Sequence, residues 1–112
     1  IHMQIKSRKS SNVFKELSFE GRYIDFTDFY DENKTEIYKS IIELFAEFKK
    51  SRKKSLNLQI SAKIRGLDWD TEFTFKRDET IILTRDVMPY FENMEDYETC
   101  SEIVSLKKDL TS

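Results

Sequence analysis

The sequence contains very few of the residues on which common catalytic and metal sites depend. It has one histidine, His2, and one cysteine, Cys100. Nucleophilic catalysis by serine or cysteine needs a base, usually histidine, and a zinc site needs several cysteine or histidine ligands. A lone cysteine forms no internal disulfide, which favours a reducing compartment. We therefore expect a cytoplasmic protein with no catalytic triad, no zinc site and no cofactor.

Glycine and long apolar runs are equally scarce. With two glycines, the chain contains neither the G-x-x-x-x-G-K-[ST] nor the G-x-G-x-x-G motif that cradles phosphate. No run approaches the roughly 18 apolar residues of a membrane span, and the sequence shows no signal-peptide pattern. These absences argue against a nucleotide-binding enzyme and against a membrane protein.

The composition is that of a folded domain with nearly balanced charge. Hydrophobic residues make up 38% and aromatic residues 13% of the 112 positions, which is enough apolar surface for one core. The 19 basic and 21 acidic residues give a net charge of −2. A general nucleic-acid binder usually carries a clear basic excess, so the balance argues against that class.

The N-terminal residues are interpreted separately from the domain. Ile1-His2-Met3 has the form of a cloning remnant, which places the expected native start at Met3 and assigns the single histidine to the vector. Residues 4–11 are polar and basic, as is typical of a loose terminal arm. We therefore interpret residues 1–10 as vector remnant and flexible basic arm, and residues 11–112 as a single α+β domain.

The clearest pattern is the alternation of apolar and polar residues over 55–76, which predicts a β-hairpin. The apolar positions change parity around Gly66-Leu67, and a two-residue loop at that point fits a type II′ turn. Such a loop places all the apolar side chains of the hairpin on one face. The predicted cross-strand pairs are Ile64 with Trp69, Ile60 with Phe73, Leu58 with Phe75, and Lys63 with Asp70.

Two further stretches are predicted to be strands. Residues 13–26 fit either a hairpin that turns on Glu20-Gly21 or one long strand with a bulge at Gly21. Residues 80–84, TIILT, follow a short turn and fit the third strand of a meander. In that strand, Ile81 and Leu83 face inward, and Ile82 faces outward as a candidate contact residue.

Two amphipathic helices complete the prediction. The first covers about 33–54 and ends in a basic run, and the second covers about 90–110 and allows a break near Asn93. We expect Phe45, on the apolar stripe of the first helix, and Phe73, on the hairpin, to be core residues. The predicted fold is therefore α+β: an antiparallel sheet, made of an N-terminal strand or hairpin plus a three-stranded meander, with both helices packed on one face.

Carboxylates leave one class of enzyme open. A cluster of acids at 25–36 suggests a divalent cation, but its spacing does not match a calcium loop, and helix capping explains it better. Three further acids alternate on one strand face, where Lys63 and the turn account for them. A metal-dependent carboxylate enzyme is thus the second alternative, and we expect the chain not to be an enzyme. The strand acids are Asp68, Asp70 and Glu72.

By elimination, the sequence predicts a non-enzymatic protein-binding module of the kind used by small bacterial or phage inhibitors, such as immunity proteins, antitoxins and phage-encoded inhibitors. Its expected partner is a protein with a basic face, because the second helix carries five acids between Glu92 and Glu102 and no base. The predicted contact residues are Tyr90, Phe91, Glu95, Asp96, Tyr97 and Glu98. The first alternative is nucleic-acid binding through a secondary basic patch made of Lys49, Lys50, Arg52, Lys53 and Lys54.

Overall fold

A computed structural model describes residues 12–111 of the chain. In this range three strands and a long helix are followed by a helical C-terminal part, which is an α+β architecture. The strands are β1 (Asn12–Ser18), β2 (Ser55–Ile64) and β3 (Leu67–Lys76). The helical elements are α1 (Phe26–Lys50), a π-helical segment (Leu83–Val87), α2 (Met88–Asn93) and α3 (Tyr97–Thr111).

The sheet is mixed, with the strand order β1-β2-β3. β1 runs parallel to β2, and β2 runs antiparallel to β3. The prediction of a purely antiparallel sheet is therefore wrong. The reason is the position of α1, which connects β1 to β2 as a crossover helix, and a crossover is what allows two successive strands to run in parallel.

The stretch 13–26 forms neither of the two predicted structures. β1 is a single short strand that ends at Ser18, and beyond it Tyr23 makes one isolated parallel bridge with Ile64. The chain leaves the sheet early because α1 begins at Phe26, seven residues before the predicted start. Asp25 caps this helix, since its carboxylate accepts a hydrogen bond of 2.9 Å from the backbone N–H of Asp28.

The central hairpin is present, but its register differs from the prediction by two residues. The turn lies at Arg65-Gly66, whose φ angles of 55° and 76° are both positive, as a type I′ turn requires. The observed pairs are Ile64 with Leu67, Lys63 with Asp68, Ala62 with Trp69, Ile60 with Thr71, Leu58 with Phe73 and Leu56 with Phe75. A shift of two residues keeps every side chain on its predicted face, so the apolar face is correct although the predicted pairs are wrong. The Lys63 Nζ atom accordingly lies 3.1 Å from the Asp68 carboxylate, in place of the predicted Asp70.

The predicted third strand at 80–84 is not a strand: Thr80 lies in a turn and residues 81–84 are helical. Leu83, Val87 and Phe91 have no exposed surface, and their spacing of four residues places them on one helix face. This buried stripe outweighs the strand preference of the β-branched residues before it. Of the two residues predicted to face inward, Leu83 does so and Ile81 is 55% exposed.

The core lies between α1 and the central strand. Phe29, Phe45 and Phe48 of α1 and Leu56 and Leu58 of β2 have no exposed surface. α1 also packs against α3, whose main contacts are with α2, α1 and the π-helical segment and not with the sheet as predicted. Within residues 12–111, no helix is both long and apolar enough to cross a membrane.

Phe45 is confirmed as a core residue, whereas the prediction for Phe73 is wrong. Phe73 is 41% exposed because β3 is the edge strand of the sheet and α1 lies mainly over β1 and β2. The apolar face of β3 is therefore only partly covered, although its alternation is that of a half-buried strand.

This difference predicts unequal effects of two matched substitutions. We expect Phe45→Ala to lower the free energy of unfolding by about 3–5 kcal/mol, since it empties a fully buried ring site. Phe73→Ala removes the same atoms from a half-exposed site, and we expect a loss of less than about half that. Urea unfolding of both variants measures the difference, and equal losses would contradict the assignment of β3 as an open edge.

Candidate functional site

An open apolar cleft lies between α1, β3 and the π-helical segment. Its volume is about 330 Å³, and we call it the aromatic cleft. It is lined by Phe26, Phe29, Tyr30, Ile37, Tyr38, Ile41, Ile60, Trp69, Phe73, Phe75, Ile82 and Asp86.

The first wall comes from one face of α1. Phe26, Tyr30, Ile37 and Ile41 recur at intervals of four or seven residues, which places them along one helix face. The rings of Phe26 and Tyr30 are stacked, with centroids 5.9 Å apart and planes 10° apart. This wall was missed in the sequence because the predicted helix began at residue 33 and left Phe26 and Tyr30 outside it.

The second wall is the apolar face of β3. Trp69, Phe73 and Phe75 lie on this face because alternate residues of a strand point to the same side. The Trp69 ring centroid lies 5.2 Å from that of Phe26, and the Phe75 centroid lies 5.9 Å from that of Phe45. Aromatic contacts of this kind join β3 to α1 at both ends of the cleft and leave Phe73 open between them.

The third wall is formed by Ile82, directly before the π-helical segment, and by Asp86 within it. The buried residues Leu83 and Val87 directly follow them and fix the orientation of the segment. Ile82, predicted to be an outward contact residue on a strand, is half-buried in the cleft wall. The Asp86 side chain is 38% exposed, and its carboxylate lies 2.8 Å from the Arg85 guanidinium.

Two phenols give the cleft a polar floor. The hydroxyl groups of Tyr30 and Tyr38 are hydrogen-bonded to each other at 2.5 Å. Burial, followed by the hydrogen bond to Tyr38 and the nearby negative charge of Asp86, raises the pKa of Tyr30 above its usual value. The phenol is therefore neutral at physiological pH, and the cleft is a largely apolar surface with one carboxylate at its rim.

The mouth of the cleft exposes large apolar side chains. Phe26 is 46% exposed and Phe73 is 41% exposed, and Ile81, next to Ile82, is 55% exposed. Rings held by a rigid helix and a strand present apolar area to a ligand with little loss of conformational entropy on binding. Chemically, this arrangement suits the recognition of apolar groups.

The six residues of the predicted acidic interface do not form one exposed surface. Phe91 is fully buried against the ring of Tyr90, and the Tyr90 hydroxyl is hydrogen-bonded to Thr35. Asp96 caps α3, because its carboxylate accepts hydrogen bonds from the N–H and hydroxyl of Thr99, and these lower its pKa. The residues that remain exposed are Glu95, Tyr97 and Glu98. Partner binding by this helix stays a prediction.

The predicted basic patch lies at the C-terminal end of α1 and in the loop that follows. Lys49 forms an ion pair of 3.2 Å with Asp109 of α3, so one charge of the patch already takes part in a contact within the chain. Lys50, Arg52 and Lys54 are exposed. Cations in the last turn are also favoured by the helix dipole. Nucleic-acid binding through this patch likewise stays a prediction.

The acidic clusters have local structural roles. Asp25 and Asp28 belong to the N-terminal cap of α1, where Asp28 also accepts a hydrogen bond from the N–H of Ile24 at 3.0 Å. Asp68 is paired with Lys63. Across residues 12–111, no group of three or more His, Cys, Asp or Glu side chains is arranged to hold a metal ion.

Comparison with known proteins gives no further assignment. No protein family, curated protein or solved structure matches this chain. The site is therefore interpreted from its own geometry.

The raised pKa of Tyr30 predicts how stability changes in alkali. The folded-state pKa exceeds the unfolded value of about 10. This phenol therefore leaves stability unchanged at lower pH and reduces it as the pH rises above 10, because the unfolded chain releases the proton more readily. Urea unfolding from about pH 8 to about pH 11, on both sides of the unfolded pKa of about 10, measures this loss in the free energy of unfolding.

The matched pair for this experiment is Tyr30→Phe and Tyr97→Phe, the latter at a ring that is 66% exposed. We expect Tyr30→Phe to make the alkaline decline shallower and Tyr97→Phe to leave it unchanged. A decline that is the same in wild type and Tyr30→Phe would contradict the buried position of this phenol.

Proposed function

We propose that this chain is a non-enzymatic protein-binding module that takes up apolar side chains of a partner protein in the aromatic cleft. The observation that carries the proposal is the exposure of Phe26 and Phe73, by 46% and 41%, at the mouth of a concave apolar site. Large apolar surface left open to water is typical of interaction sites. Aromatic anchors beside a pocket are also the residues that most often dominate binding energy.

The extent of the apolar surface favours a macromolecular partner over a small ligand. A small molecule would be confined to the cleft of about 330 Å³, which is near the lower end of ligand pockets. Exposed apolar side chains continue beyond it at both ends of the walls, with Ile24 exposed by 70%, Leu67 by 71% and Ile81 by 55%. A protein surface can cover the cleft and these neighbours together.

The proposed function is of the class predicted from the sequence, a protein-binding module, but the proposed interface is the aromatic cleft and not the acidic C-terminal helix. Small bacterial or phage inhibitors act by occupying another protein's surface, and an aromatic cleft on a rigid α+β domain suits that role. Asp86 at the rim forms an ion pair with Arg85, so its charge is compensated and the cleft selects its partner by apolar contact.

The test compares cleft variants in binding to a purified partner. Affinity purification from the source cells with the wild-type chain identifies the partner, and calorimetry then measures its dissociation constant. We expect Phe26→Ala and Phe73→Ala each to weaken binding by about 30-fold or more, since buried aromatic anchors contribute about 2 kcal/mol or more.

The matched control is Val104→Ala on α3, an exposed apolar residue outside the cleft. We expect this variant to bind as wild type does. Unchanged affinity in both Phe variants, together with weaker binding when Glu95 and Glu98 are changed to Gln, would refute the cleft and favour the acidic interface.

A further inference from the structure

The second feature beside the cleft is the free edge of β3. All ten residues of β3 pair one to one with residues of β2, and no other strand within residues 12–111 pairs with its opposite side. Natural edge strands are usually protected by short length, proline, a bulge, charged side chains or a covering helix or loop. β3 is ten residues long and has neither proline nor bulge, so its protection comes from the charged residues on the face away from α1. Its cleft-facing positions carry Trp69, Thr71, Phe73 and Phe75.

The opposite face of β3 is acidic. Asp68, Asp70 and Glu72 alternate with the cleft-facing residues and lie on the face of the sheet away from α1. Asp68 is paired with Lys63, and Glu72 accepts a hydrogen bond of 3.0 Å from Asn57. Asp70 is exposed and lies opposite Ser61 in β2. Along this edge, therefore, apolar and acidic positions alternate with the period of a strand.

We propose that the edge of β3 binds an extended segment of the partner as a fourth strand, and that this segment alternates apolar and basic residues. This inference rests on the proposed function and names the binding mode. Backbone hydrogen bonds to the edge would supply affinity, and alternate side chains would supply specificity. Apolar side chains of the segment would enter the cleft beside Phe73, and basic ones would lie next to Asp70 and Glu72, an arrangement that favours opposite charges.

The same acids disfavour a second copy of this chain as the occupant. Antiparallel pairing of two β3 strands about Asp70 places that residue opposite its own copy, and pairing about Glu72 does the same for Glu72. Pairing about Thr71, the position between them, sets Asp70 opposite Glu72. Each of these central registers puts like charges directly across from each other, which is destabilising. A heterologous segment with basic residues avoids this repulsion.

The first experiment uses three synthetic peptides of equal length and measures binding to the full chain by calorimetry. One alternates lysine with phenylalanine, isoleucine and valine; the second has glutamate in place of lysine; the third has the first composition with its apolar and basic residues in separate blocks. We expect the alternating basic peptide to bind at least about 10-fold more tightly than either other peptide, because several cross-strand charge pairs change together. Equal binding of all three would overturn the proposal.

A charge reversal tests the register of these contacts. Asp70→Lys should weaken binding of the alternating basic peptide and strengthen binding of the acidic one, and Asp70→Asn should change both affinities in the same directions by smaller amounts. The matched control is Glu16→Lys, since Glu16 is an exposed acid of the same sheet face on the opposite edge strand. If Glu16→Lys and Asp70→Lys changed peptide affinity equally, the peptide would be responding to the overall charge of the protein and not to the β3 edge. That result would overturn the edge assignment.

Backbone methylation separates strand addition from simple apolar binding. Two further versions of the basic peptide carry N-methyl groups on alternate residues, in the two opposite phases. We expect one phase to abolish binding and the other to preserve it, because alternate N–H groups of a strand point toward its neighbour. If both methylated peptides bind like the parent peptide and Phe73→Ala still weakens binding, strand addition at the β3 edge is refuted, whereas apolar binding in the cleft is supported. If Phe73→Ala also has no effect on peptide or partner, the proposed function fails as well.

Discussion

Packing of α1 against β2 is the interaction on which the rest of the structure depends. Phe45 and Phe48 of the helix and Leu56 and Leu58 of the strand are fully buried, and each contributes about 1.5–3 kcal/mol relative to an exposed position. The other elements are arranged around this pair. β1 pairs with β2 on one side, α3 packs against α1, and the π-helical segment packs against α2 and α3.

The aromatic cleft exists because this packing stops before the edge of the sheet. α1 lies mainly over β1 and β2, whereas β3 continues the apolar face one strand further. Phe75 and Trp69 bring β3 into contact with rings of α1, whereas Phe73 between them is 41% exposed. The candidate site is thus the boundary of the core, where apolar side chains have a fixed position and are incompletely covered.

Features that follow from local periodicity were predictable, and those that depend on long-range partners were not. The two faces of the hairpin were predicted correctly because a two-residue shift leaves each side chain on the same face. The position of the turn was predicted wrongly, since an arginine such as Arg65 is uncommon at positive φ.

The parallel pairing of β1 depends on the path of α1, which no local pattern encodes. Helix formation at 81–87 depends on burial of Leu83 and Val87 and overrides β-branched propensity. Ile82 was predicted to be an outward contact residue on a strand, and the cleft beside it became visible only once α1 was placed.

Amide hydrogen exchange along β3, measured by NMR on the free protein, tests the central claim most directly. If β3 is an open edge, amides that point toward β2 are protected and the alternate amides that point away exchange rapidly, so protection alternates along the strand. Addition of the partner or of an alternating basic peptide then slows the rapid set and leaves the other unchanged. Uniform protection of β3 in the free protein would contradict the account, because it would mean that the edge is already covered.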